Sequence, residues 1–106
     1  MYETNSLKAD INFATSGDHT IIAAPDNGYI AIDHINFIPT SAATIQLKDG
    51  STAYGGAYYL NNQAYTIENA YLNPKGVITL SVGEAFVINT DVAVQVSGFC
   101  RYRVVI

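Results

Sequence analysis

A chain of 106 residues, 49% hydrophobic and only 13% charged, has the size of one domain and can bury a core without metal or disulfide staples. Its net charge of −4, with five basic residues scattered from Lys8 to Arg103, argues against sequence-independent nucleic-acid binding, and no apolar stretch reaches the roughly 18 residues of a membrane span. Cys100 is the single cysteine, and the polar start MYETNSLKAD does not read as a signal peptide, so the chain is expected to be made in a reducing cytoplasm without disulfides.

Apolar residues do not recur at helical spacing, and the apolar segments are short, β-branched and bounded by Gly, Asn, Asp and Pro. SLKADINFA (6–14) alternates, with Leu7, Ile11 and Phe13 in one register, and predicts a first strand at a sheet edge. HTIIAA (19–24) predicts a second. PDNG (25–28) places Pro and Asn-Gly where a hairpin turn needs them. In YIAIDHINFIP (29–39) the more apolar register changes near Asp33 and His34, which predicts a β-bulge or a change of sheet environment; in a regular strand those two side chains would point to opposite faces. ATIQLKD (43–49) alternates cleanly, with Ala43, Ile45 and Leu47 inward, before an Asp-Gly turn.

Residues 51–73 read as two short strands or an extended loop, and hold Tyr54, Tyr58, Tyr59, Tyr65 and Tyr71. NPKG (73–76) predicts a turn, VITLSV (77–82) and GEAFVIN (83–89) two more strands. VAVQVSGFCRYRVVI (92–106) predicts a long last strand, central in its sheet. Val94, Val96, Cys100, Tyr102 and Val104 face the core, while Gln95, Phe99, Arg101 and Arg103 look outward. Gly98 is expected to let this strand bend. About eight short strands, with turn signals every eight to twelve residues, predict a single antiparallel β-sandwich or barrel over residues 1–106.

The residues with chemical potential are few. His19 and His34 have no second ligand at metal spacing, and Cys100 reads as a small buried hydrophobe. Asp33 with Glu68 or Glu84 is a conceivable carboxylate pair, with nothing in the pattern to select it. The turns DNG (26–28) and NTD (89–91) offer oxygens to calcium, although turn chemistry explains them equally. The expectation is a protein that is not an enzyme, with no cofactor and no metal.

Surface composition is more informative. A soluble domain carries about 25% charged residues, so this chain must coat itself with Ser, Thr, Asn, Gln and Tyr or be covered by a partner or by its own copies. Eight tyrosines and no tryptophan favour surfaces that are partly apolar and partly wet. The tyrosines either form a contact surface, fill the ends of the sandwich, or stack on sugar rings. Tyr54, Tyr58, Tyr59 and Tyr65, with Phe99, Arg101 and Arg103 on the outward face of the last strand, are the candidate oligomer or partner contacts, the arginines pairing with acids of a neighbouring copy.

The second half carries a resemblance. ATIQLKDGSTAYGG, followed by LNPKGVITLSVGEAFVINTDVAVQVSGFCRYRVV, resembles the small jelly-roll virion proteins of tailed bacteriophages over roughly residues 19–106. The matching positions are Pro74 and Gly76, then Gly83, Glu84 and Ala85 with Phe86, Ile88 and Asn89, then Val96, Gly98 and Tyr102. The resemblance implies a jelly-roll sandwich that decorates or cements a phage capsid, often as a homotrimer. Its partners would be itself and the major capsid protein, its place the capsid surface. The alternative is a carbohydrate- or receptor-binding module of a phage fibre or tail, with YYLNNQAY (58–65) as its contact stretch.

Overall fold

The computed structural model describes residues 6–69 and 75–106. These form ten strand segments: β1 (Leu7–Phe13), β2 (Gly17–Ile22), β3 (Tyr29–Pro39), β4 (Ala43–Asp49), β5 (Thr52–Ala53), β6 (Tyr58–Leu60), β7 (Tyr65–Glu68), β8 (Ile78–Thr79), β9 (Phe86–Thr90) and β10 (Val96–Val105). One antiparallel sheet runs β1-β10-β3-β7, with β8 also on β3; the other runs β2-β9-β4-β5, with β6 also on β4.

Two pairs of segments are interrupted single strands. Segment β5 pairs with the end of β4 and β6 with its beginning, both along one edge. Segments β7 and β8 lie likewise along β3. Counted this way the sandwich has eight strands, four per sheet, and successive strands change sheet at every step but the one from β4 to β5–β6. This is the jelly-roll order.

That order corrects one expectation. Residues 25–28 do turn the chain, with Gly28 at φ +79°. They do not close a hairpin, because β2 pairs with β9 and β3 with β10. Turn chemistry reports where a chain reverses, and nothing local reports which strand it joins afterwards. The Asp49-Gly50 turn does close a hairpin, pairing Lys48 with Ala53 and Asp49 with Thr52. Of NPKG, Asn73 and Pro74 lie outside the described residues.

The period-2 pattern becomes the core. In β4, Ala43, Ile45 and Leu47 are buried and Thr44, Gln46 and Lys48 are not. They meet Ile88 and Phe86 of β9 and, across the sandwich, Ile32, Ile35 and Phe37 of β3 with Val96 and Cys100 of β10. Each fully buried Ile, Leu, Val or Phe contributes roughly 1.5–3 kcal/mol relative to exposure. The final strand is shorter than its alternation suggested, because residues 92–95 lie outside it. It is central, between β1 and β3, as expected. Gly98 sits there because a Cβ would overlap the Asn36 carbonyl of β3, so glycine is what allows the two strands to approach.

The register change at Asp33 is a bulge. Arg101 lies opposite His34 and Tyr102 opposite Ile32, leaving Asp33 as an extra residue on β3. The inward set on β3 therefore shifts from Ile30 and Ile32 to Ile35, Phe37 and Pro39. On β10 Val96 and Cys100 keep one register, but at the strand's end Val105 is buried and Val104, expected to face the core, is only half-buried. The bulge also overturns the expected opposition of Asp33 and His34. Asp33 binds Arg103 and His34 stacks on Phe99, so both lie on the outer face.

Cys100 is fully buried, and burial pushes its thiol up to about 11. A thiol reagent at pH 8 is expected to leave native protein unlabelled over hours and to modify it within minutes in denaturant, followed by mass spectrometry. Rapid native labelling would place β10 in the wrong register.

Candidate functional site

The residues singled out by the sequence separate into two surfaces. The first is the open edge of the sandwich between β6 and β7. Segment β6 pairs Tyr58 with Ile45 and Tyr59 with Thr44. Ile45 is buried, so Tyr58 turns toward the interior and Tyr59 away from it. The Tyr58 ring meets that of Tyr65 at 4.6 Å, and the Tyr65 hydroxyl donates to the Tyr58 oxygen at 3.2 Å. Tyr65 in turn stacks on buried Phe37 at 5.0 Å. Burial first, and then the Tyr58 hydroxyl, raise the Tyr65 phenol above its usual range. Tyr54 packs against the same core, and its oxygen accepts from the Thr79 backbone N–H at 3.5 Å.

Tyr54 and Tyr65 thus plug the gap between the two sheets, with the exposed ring of Tyr58 lying on Tyr65 at the rim. Tyr59 does not; it is 68% exposed, beside the exposed Asn61, Asn62 and Gln63. Adjacent residues of one strand face opposite ways, which is why the tyrosine-rich stretch has two roles. Tyr71 lies outside the described residues. The opposite edge is closed by the same device. There Phe13 stacks on His19 at 3.9 Å, and His19 Nε2 donates to the Thr15 carbonyl at 2.7 Å.

The second surface is the outer face of the β1-β10-β3-β7 sheet. Arg103 donates through Nε and Nη2 to the two carboxylate oxygens of Asp33, at 2.7 and 2.9 Å. Asn69 donates to the same carboxylate at 3.0 Å, and its backbone N–H donates to the Asp33 carbonyl at 2.7 Å. Burial pulls the Asp33 pKa upward, but the Arg103 fork and the Asn69 amide outweigh it and hold the carboxyl below its ordinary value. Arg103 therefore commits its fork within its own chain, where pairing across copies was expected, and Asp33 is a structural anion.

Phe99 is half-buried. His34 stacks on it at 5.3 Å, and Lys8 Nζ lies 5.6 Å from its ring centre. The ring is thus partly covered by its own subunit. His34 also accepts at Nε2 from the Asn36 amide at 2.8 Å. Arg101 is exposed on the same face, one residue in alternation from Phe99. Lys8, His34, Asn36 and Glu68 join this surface, where the sequence placed none of them. Their strands showed alternation, but only the register of one strand on another places them side by side. The face of the other sheet is polar, with Lys48 and Asn89 both bound to Asp18, and those hydrogen bonds lower the Asp18 pKa.

The chain matches no known protein family, no curated protein and no solved structure.

Asp33→Asn is expected to destabilise the fold by about 2 kcal/mol at pH 7, between the values typical of exposed and buried pairs. Because the folded pKa is depressed, the carboxylate's contribution is fully present above about pH 4. It is lost as pH falls through the lowered value. Melting curves of parent and variant should therefore converge in acid. At the tyrosine edge, Tyr65→Ala should cost roughly 2–3 kcal/mol and Tyr65→Phe under about 1, while Tyr59→Ala should stay within about 0.5 in denaturant titrations.

Proposed function

We propose that this chain is a non-enzymatic structural protein of a virion, which decorates the capsid of a tailed bacteriophage as an oligomer and stabilises it. What supports the reading is that the motif positions of the resemblance fall at corresponding places in a jelly-roll order. Gly76 abuts β3 where the chain returns to that edge. Gly83, Glu84 and Ala85 form the turn into β9, whose Phe86 and Ile88 are core. Val96, Gly98 and Tyr102 share the inner face of β10.

The mechanism is mechanical. Each copy bridges neighbouring capsid subunits and adds contact area that must be broken before the shell opens, and an oligomer multiplies weak contacts through effective concentration. A surface so poor in charge suits a protein that is covered on both sides when assembled.

Tyr59 favours a second reading, because an exposed ring followed in the chain by three exposed amide residues offers a sugar-binding chemistry. In that case the chain is a carbohydrate- or receptor-binding module of a fibre or tail.

Co-sedimentation with expanded capsids of a tailed phage and a glycan array separate the two. The expected result is saturable retention on capsids, a rise in the temperature at which they release DNA, and no glycan signal. Strong glycan binding abolished by Tyr59→Ala, with no retention on capsids, gives the second reading.

A further inference from the structure

The registers of the four-stranded outer face line up its side chains in rows across the strands. Lys8 of β1 lies opposite Arg101 of β10, Arg101 opposite His34 of β3, and His34 opposite Glu68 of β7. Directly opposed residues share a face, so one row reads Lys8, Arg101, His34, Glu68. The next row reads Asp10, Phe99, Asn36, Thr66, and the third Asn12, Ser97, Ile38. Lys8, Asp10, Arg101 and Glu68 are exposed at its surface.

Two features of this layout are those of a contact surface. The central strands carry its apolar residues, half-buried Phe99 and 38% exposed Ile38. The row ends on the outer strands are polar, with Lys8, Asp10 and Glu68 charged, as at the rim of an interface, although exposed Arg101 stands among the central residues. The first row also has opposite signs at its two ends. At about 4.8 Å per strand, its positive end on β1 and negative end on β7 stand roughly 14 Å apart.

A surface of this kind is complementary to itself. Rotation by half a turn about an axis in the face, parallel to the strands and between β10 and β3, lays the β1 edge of one copy over the β7 edge of another. Lys8 then meets Glu68 of the second copy, and Glu68 meets Lys8, as an isologous contact requires. Arg101 meets the flat ring of His34, a surface on which guanidinium groups stack. Sheets packed face to face keep their strands within about 30°, which preserves the row. A twofold axis across the strands, between the first two rows, instead sets Lys8 against Asp10, which Lys8 already binds within its own chain at 3.2 Å, and sets Glu68 against Thr66, so that Glu68 gains no partner.

We propose that two copies of this chain pair face to face through the outer β1-β10-β3-β7 sheet, with Lys8 of each on Glu68 of the other. This rests on the reading that the chain self-associates, and it selects a twofold pair where the resemblance implies three copies.

Charge reversal tests it. Lys8→Glu and Glu68→Lys are made singly, with thermal melts to verify that each exposed substitution leaves the subunit folded. Association is followed by sedimentation equilibrium of the full chain. The parent is expected to sediment at twice 11.4 kDa in the concentrated range. Each variant alone, facing like charges twice, should associate at least about tenfold more weakly. An equimolar mixture should recover the parent's affinity, because a copy carrying Lys8→Glu and a copy carrying Glu68→Lys present two attractive pairs to each other. A parent that associates while both variants match it, or a mixture that is not restored, overturns this face and leaves self-association standing. A parent that stays at 11.4 kDa at several hundred micromolar overturns both.

Discussion

The pairing of β3 with β10 is the constraint on which the molecule depends. These are the two longest strands, they occupy the middle of one sheet, and every other strand of that sheet hangs on one of them. Their length would carry a regular ladder out of phase with the core, since Ile30 and Ile32 alternate against Ile35 and Phe37. A single extra residue restores the phase, and that residue is an aspartate. Its carboxylate is held by Arg103 from the neighbouring strand and by Asn69, at the point where β7 leaves the sheet. One ion pair thus ties the correction of register, the alignment of β10 and the end of β7 into a single junction.

The open edges of the sandwich pose a different problem. A two-sheet core is exposed wherever the outer strands separate, and an aliphatic side chain there would face water. Both edges use rings with a polar end: His19 against Phe13 on one side, Tyr65 and Tyr58 over Phe37 on the other. The ring covers the core and its polar atom bonds at the rim. Tyr54, Tyr58 and Tyr65 thus serve the β6–β7 edge, whereas Tyr59 on the same stretch turns away.

Much of this was legible in the residues. Segments β3 and β4 begin and end where alternation meets turn residues, and the slip at Asp33 was visible because two apolar registers cannot both face one core. The burial of Cys100 followed from the period of β10. What was hidden is everything that depends on partners distant in the chain. The Pro-Asp-Asn-Gly turn gives no sign that its two strands enter different sheets. Tyr58 and Tyr59 differ only in parity, and parity is set by β4, across the sheet. Arg103 looked free because Asp33 is 70 residues earlier. The cross-strand rows of the outer face exist only once three registers are known.

The position of β10 in the sheet also governs when the protein can take shape. Strands β1 and β3 are both made early, yet they do not pair with each other, and the strand that joins them is translated after all the others described. While the ribosome is still at work, β1 lacks its one neighbour in the sheet and β3 lacks the longer of its ladders. Nearly every pairing spans a long stretch of chain, a topology that folds slowly. The nascent chain therefore carries unpaired strand edges until β10 emerges, the condition under which such chains associate wrongly. Until β10 is present, this sheet lacks its middle.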